Sequence, residues 1–187
     1  LLKQAVHVFR TADMSRRDGI RWLWLAGHAA HVLWDDESWE ELSNRHVALA
    51  RQTGALALLP LALAARVAIH LFAGELASAA ALTDEIAAIL TATGSNPPTY
   101  SAVPLAGFRG RMSEATPLID EVRPQIAPRR DGIGLAILEH AEAVLYIGLG
   151  RYQEACEVAQ RGAADSPELG YSMSSLAQLV EAAVRSD

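Results

Sequence analysis

The sequence of 187 residues contains one cysteine, Cys156, and one lysine, Lys3. A lone cysteine excludes an internal disulfide and, with no recognisable signal peptide, fits a reducing, cytoplasmic setting. The net charge of −6 argues against direct contact with a nucleic-acid backbone, which requires a basic face. The best apolar stretch, Ala55 to Ala73, is broken by Arg66 and His70, so we expect no membrane span and no membrane partner.

Strand signals are scarce, because no stretch alternates apolar and polar residues for long and no Asn-Gly or Asp-Gly hairpin joins two β-rich runs. Alanine and leucine abound, and apolar residues recur three and four positions apart, which predicts an all-α fold. The spacing predicts a partial helix over 1–13 and helices near 19–35, 38–53, 55–73, 75–93, 99–109, 112–122, 133–149, 151–164 and 170–185. The stretches 95–104 and 123–132 read as irregular inserts.

Local signals mark the ends of several predicted helices. Ser38 followed by Glu41 forms a capping-box pattern, in which each side chain satisfies the free amide of the other residue. Gly54 supplies a left-handed stop for the same helix. The acidic run Asp35-Asp36-Glu37 fits the beginning of this helix, where the macrodipole favours negative charge.

Short turns recur along the chain at nearly regular spacing. Gly74, Gly110 and Gly150 each follow an apolar helix, with separations of 36 and 40 residues, and an earlier turn at Asp35-Asp36-Glu37 lies 37 residues before Gly74. A helical hairpin cannot bury its own apolar face, so a period in the high thirties predicts hairpins that stack into a solenoid.

The clearest repeat unit is Gly150-Arg151-Tyr152-Gln153-Glu154-Ala155, followed by Ala159 and Pro167. This segment resembles the second half of a tetratricopeptide repeat, which places a glycine at the turn, an aromatic residue two positions on, an alanine five positions on and a proline at the close. Gly74 with Ala79 and Gly110 with Ala115 match in part. The resemblance implies antiparallel helical hairpins stacked as a degenerate, right-handed solenoid, and we expect one such domain over residues 1–187.

Motifs for enzyme chemistry are missing from the sequence. There is no Gly-x-x-x-x-Gly-Lys-Ser/Thr loop, no Gly-x-Gly-x-x-Gly after a strand, no Gly-x-Ser-x-Gly and no His-Glu-x-x-His. We therefore expect no enzyme activity, no catalytic residues and no cofactor in this segment. His28, His31 and Asp35 share a helix face and are open to two interpretations, a metal site or ordinary helix residues; without a second ligand cluster we predict no metal. Arg129 and Arg130 could hold an anion or lie in a solvated loop.

The first helix of each tetratricopeptide hairpin lines a concave groove. Counting back from each turn predicts a groove that is aromatic with a few polar tips, as ligand sites often are. The alternative is that these residues are simply buried. The predicted groove residues are Trp24, His31, Trp34, Phe72, Tyr100, Phe108 and His140.

Several longer segments resemble the C-terminal helical region of large bacterial LuxR-type transcriptional regulators. They are the segments 34–42 (WDDESWEEL), 51–56 (RQTGAL), 73–76 (AGEL), 149–155 (LGRYQEA) and 179–186 (LVEAAVRS). Those regulators carry an ATP-binding module, then helical repeats, then a helix-turn-helix that binds DNA. The start at Leu1 and the end at Asp187 then indicate a piece cut from a longer protein.

The resemblance implies a sensor domain in which an inducer or partner biases ATPase and DNA-binding domains outside this chain. The alternative is a stand-alone adaptor that holds a peptide or protein in its concave groove. Self-association through the ends of the solenoid is also expected, because such ends normally require polar caps.

Overall fold

Ten α-helices and no strands make up the part of the chain that the computed structural model describes, which covers residues 1–95, 100–126, 128, 131–164 and 172–186. The helices are α1 (Leu2–Thr11), α2 (Arg16–Val32), α3 (Asp36–Gln52), α4 (Leu59–Phe72), α5 (Leu76–Thr93), α6 (Ala102–Phe108), α7 (Met112–Ile126), α8 (Gly132–Gly148), α9 (Tyr152–Ala164) and α10 (Ser172–Ser186). The all-α prediction is confirmed. The chain divides into two compact units, Leu1–Pro97 and Pro98–Asp187, and the single domain over 1–187 stays a prediction.

Six helix ends share one type of turn, in which a residue with positive φ follows the helix. The residues are Trp34, Gly54, Gly74, Gly94, Gly110 and Gly150, with φ between 56° and 76°. The amide of the next residue returns to a carbonyl five positions back, as from Glu75 N to His70 O at 2.8 Å, so each end forms a Schellman motif. The turns predicted at Gly74, Gly110 and Gly150 are thereby confirmed.

The first of these turns lies at Trp34, so its predicted location at Asp35-Asp36-Glu37 is wrong. Asp35 is the N-cap of α3, and its carboxylate accepts hydrogen bonds from the Ser38 amide at 3.1 Å and from the Ser38 hydroxyl at 2.6 Å. These two bonds hold the pKa of Asp35 below its usual value. The predicted capping box of Ser38 and Glu41 is therefore wrong as well, because Asp35 caps the helix and Glu41 instead accepts from Arg10 at 2.8 Å.

In the first unit, α2 packs on α3, α3 on α4 and α4 on α5. Its core contains Val6, Leu23, Ala26, Ala30, Trp39 and Leu42. Arg45 of α3 contacts the end of α1, where its guanidinium donates to the Phe9 carbonyl at 2.8 Å and to the Ala12 carbonyl at 2.9 Å. These carbonyls lie at the C-terminal end of α1, where a helix has no internal donors left, so a side chain from α3 completes the end of a neighbouring helix.

Two helix boundaries close to proline residues differ from the predicted ones. Helix α4 begins at Leu59 with Pro60 in its first turn, four residues after the predicted beginning, because proline is favoured there and needs no amide partner. Helix α7 continues to Ile126 through Pro124, past the predicted end at residue 122. Val122 and Ile126 are buried in the core of the second unit, and this burial favours the additional turn.

Within the described residues, α5 is the one helix that is long and apolar enough to cross a membrane by length and composition. Its 18 residues have a mean hydropathy of 1.3. It also carries Glu85, which accepts from Arg51 of α3 at 2.7 Å.

In the second unit, α6 packs on α8, and α8, α9 and α10 pack on one another. Two glycines permit close approach. A methyl group on Gly107 would lie 2.6 Å from the Ala141 carbonyl oxygen, and one on Gly162 would lie 2.5 Å from the Ser175 hydroxyl oxygen. The backbones of α6 and α8 therefore meet directly at Gly107, whereas at Gly162 the Ser175 side chain of α10 packs against the backbone of α9.

Candidate functional site

A cluster of ring side chains lies where α2 ends, α3 begins and α4 ends. The His31 ring is its centre, with its centroid 4.3 Å from Trp39, 5.8 Å from Phe72, 6.2 Å from Trp34 and 6.0 Å from His28. The centroids of Trp39 and Phe72 are 6.0 Å apart. We call His28, His31, Trp34, Trp39 and Phe72 the ring cluster.

The ring cluster has a buried base and an exposed surface. Trp39 and His28 are 8% exposed, whereas Trp34 is 55% exposed and Phe72 is 44% exposed. Large aromatic side chains stabilise a fold through the area they bury, so exposed rings fixed on a buried aromatic base resemble a recognition surface more than a core.

Trp34 reaches this surface at a conformational cost. Its φ of 56° lies in the left-handed region, and no other non-glycine residue of the described chain has a positive φ. A side chain with a Cβ in this region loses about 1–2 kcal/mol. Five equivalent turns use glycine at the same point, so the fold itself does not require tryptophan there.

Three of the predicted groove residues, His31, Trp34 and Phe72, thus meet in one cluster. Trp24 also lies on α2, and its spacings of four and seven residues place it on the same helix face as His28 and His31. It is 38% exposed. The sequence prediction missed Trp39, because Trp39 belongs to the second helix of its hairpin and only first helices were counted toward the groove.

The other three predicted residues lie in the second unit. The ring centroids of Phe108 and His140 are 6.2 Å apart, and the His140 Nδ1 is 3.1 Å from the Gln178 side-chain oxygen. Burial lowers the pKa of His140 to about 4. His140 is therefore neutral near pH 7, and its ring links α8 to α6 and α10.

Tyr100 has a packing role in the second unit. Its ring covers Gly134, where an added methyl group would lie 2.7 Å from the ring, and its hydroxyl donates to Asp131. Asp131 is the N-cap of α8 and accepts from the Gly134 amide at 2.9 Å. Tyr100 thus supports the beginning of α8.

The three residues weighed as metal ligands have other neighbours. Asp35 caps α3, and His28 and His31 belong to the ring cluster. Among the described residues, no group of three His, Cys, Asp or Glu side chains is arranged to hold a metal ion. Arg129 and Arg130, and Pro167 of the repeat motif, lie outside the described residues.

Comparison with known proteins adds no relatives: no family model matches the chain, and no curated protein or solved structure is significantly similar to it.

Proposed function

We propose that the chain is a tetratricopeptide-like binding domain whose hairpins stack as a right-handed solenoid and whose ring cluster is the main recognition surface. The observation that carries this proposal is the repetition of one hairpin turn. Gly74, Gly110 and Gly150 have φ of 76°, 67° and 71°. The alanine five residues after each of them, Ala79, Ala115 and Ala155, is 0% exposed, as expected where two helices approach closely.

The proposed biological role is that of the sensor region of a LuxR-type transcriptional regulator. Its support is the resemblance of the segments beginning at Trp34, Arg51, Ala73, Leu149 and Leu179 to such regulators. In this role an inducer or partner binds the repeats and favours one state of the whole protein, which changes ATP-dependent assembly and DNA binding by domains outside the chain. The effect can be no larger than the difference in the affinity of the ligand for the two states.

A stand-alone adaptor that binds a protein or peptide is the second candidate. The exposure of Trp34 and Phe72 favours it, because a small-molecule site commonly buries most of its ligand in a cleft, whereas half-exposed rings suit a partner that supplies its own covering surface.

A thermal-shift screen with small metabolites and short peptides tests the binding proposal. A ligand at about 100 times its dissociation constant stabilises the native state by about 2.7 kcal/mol. We expect a hit whose effect is lost in Phe72→Ala and retained in Leu56→Ala, which removes an apolar side chain that is 52% exposed and outside the ring cluster. Hits that Phe72→Ala leaves unchanged contradict the proposed surface.

The regulator role has its own test in the complete gene product. We expect the complete protein to contain a phosphate-binding loop before this segment and a helix-turn-helix after it. We also expect the purified protein to bind its operator DNA more tightly when the inducer is present. A complete protein that lacks both modules excludes the regulator and leaves the adaptor.

A further inference from the structure

The exposed part of the ring cluster lies beside an excess of carboxylates. Six of them are in the first two turns of α3 and at the caps of α3 and α5, namely Asp35, Asp36, Glu37, Glu40, Glu41 and Glu75. The first turn of α3 also contains Trp39, so these carboxylates and the rings are at the same end of the hairpins.

Three cations act on these six carboxylates. Arg10 donates to Glu37 at 2.9 Å and to Glu41 at 2.8 Å, and Arg66 approaches Glu40 at 3.4 Å. Lys3 acts on Asp35 through its charge. Together, the six carboxylates and these three cations carry a net charge of −3.

The partner of Glu75 is a histidine. The His70 Nδ1 is 2.6 Å from the Glu75 carboxylate and adds a positive charge only when it is protonated. Even with this additional positive charge, these carboxylates and cations keep a net charge of −2.

We propose that Trp34 and Phe72 bind an arginine or lysine side chain from an extended basic segment of a partner protein. This inference rests on the proposed binding function and names the chemistry of its partner. The faces of aromatic rings carry partial negative charge and attract cations, and an arginine guanidinium also stacks on an indole. Flanking basic residues of the partner are attracted to the net negative charge around α3, which increases the rate of association at low salt.

The chain itself contains a contact between an arginine and a tryptophan ring, at Trp22. The guanidinium carbon of Arg21 lies 4.7 Å from the Trp22 ring centroid. Trp22 is 39% exposed, and the cation on its ring is the side chain of the adjacent residue. The ring neighbour of Trp34 is His31. Trp22 is therefore the matched control for Trp34, as an exposed tryptophan that already has a cation on its ring.

The binding experiment uses two labelled peptides of the same length, one with arginines separated by glycines and one in which citrulline replaces each arginine. Citrulline keeps the length and planar shape of the side chain, removes its charge and replaces one donor nitrogen with an acceptor oxygen. Fluorescence anisotropy measures both dissociation constants at low and at physiological ionic strength. We expect the arginine peptide to bind at least tenfold more tightly, and its affinity to fall as salt is added.

The variants locate the contact. We expect Phe72→Ala and Trp34→Gly each to weaken arginine-peptide binding by about two- to thirtyfold, which is the range for a cation on an aromatic ring. Trp22→Ala is expected to leave it unchanged. Asp36→Asn is expected to reduce the salt dependence, because it removes one exposed carboxylate without altering a ring.

Equal affinity for the arginine and citrulline peptides overturns the inference, as does unchanged binding in both Trp34→Gly and Phe72→Ala, or no binding by either peptide. Preference for an acidic peptide, or concentration-dependent self-association that Phe72→Ala abolishes, also overturns it. These outcomes are separate from the fate of the proposed binding function: a thermal-shift hit that is lost in Phe72→Ala preserves that function even when no basic peptide binds.

Discussion

At position 34, a glycine variant should be more stable than an alanine variant, which is the reverse of their usual order of stability in a helix. At an ordinary helical position, alanine is more stabilising than glycine by about 0.5–1 kcal/mol. Trp34 has φ of 56°, where a Cβ is unfavourable and glycine is not. We therefore expect Trp34→Gly to be more stable than Trp34→Ala.

The magnitude follows from two opposing terms. The indole is 55% exposed, so its removal loses roughly half of the 1.5–3 kcal/mol that full burial of a large apolar side chain provides, or about 1 kcal/mol. Alanine loses this contact and keeps the backbone strain, so Trp34→Ala should lower the free energy of unfolding by about 1 kcal/mol. Glycine loses the contact but relieves about 1 kcal/mol of strain, so Trp34→Gly should be close to the wild type.

Chemical denaturation followed by far-ultraviolet circular dichroism measures both variants without relying on the indole that they remove. Gly74→Ala is the matched control, since Gly74 has φ of 76° and nothing lies within 4 Å of an added methyl group. We expect it to lose about 1 kcal/mol from strain alone. If Trp34→Ala proves as stable as Trp34→Gly while Gly74→Ala is destabilised, the left-handed conformation of Trp34 is refuted.

Three further predictions concern packing and titration. Arg45→Ala should loosen the C-terminal end of α1, because it leaves the carbonyls there without their charged donor. We expect a loss of about 1–3 kcal/mol and faster amide exchange in residues 2–11. Gly107→Ala should cost about 1–3 kcal/mol in thermal denaturation, because its methyl group would lie 2.6 Å from the Ala141 carbonyl oxygen. The pKa of His140 is lowered to about 4, so the fold favours the neutral ring. The stability that this provides is fully present above the unfolded pKa of about 6.5 and is lost as the pH falls from about 6.5 to 4. A pH series of denaturation curves should show a loss of at most about 3 kcal/mol.

Each of these predictions has a matched control. Arg51→Ala removes an exposed ion pair with Glu85 and should cost less than about 1 kcal/mol, so an equal loss in both arginine variants contradicts the capping role of Arg45. Gly148→Ala adds a methyl group at the last residue of α8 with nothing within 4 Å and should not lower the stability. His140→Gln should flatten the stability profile between pH 4 and 6.5, and an unchanged slope would assign the titration to another group.

The helices were predictable because their signals are local. Alanine and leucine spacing marks ten helices, and Gly74, Gly110 and Gly150 mark turns with a positive φ, which glycine adopts most readily. The predicted helix boundaries were wrong where a local sequence signal competed with packing. Pro124 normally ends a helix, yet burial of Ile126 extends α7 past it.

The candidate site was predictable only in part. The repeat register brought His31, Trp34 and Phe72 together, because residues at equivalent positions of neighbouring hairpins share a face. It missed Trp39, which joins the cluster from α3. It did not predict the left-handed backbone conformation of Trp34, because a tryptophan gives no signal for such a turn. It assigned Tyr100 to the groove, whereas the packing role of Tyr100 depends on its contact with Gly134.

The two compact units contain different natural chromophores. Trp22, Trp24, Trp34 and Trp39 all lie in Leu1–Pro97, whereas Tyr100, Tyr146, Tyr152 and Tyr171 all lie in Pro98–Asp187. Tryptophan emission therefore reports on one half of the chain and tyrosine absorbance on the other, without any label. Coincident denaturation curves from the two signals would mean that 187 residues unfold as one cooperative array, and separated curves would mean two folding units joined in one polypeptide.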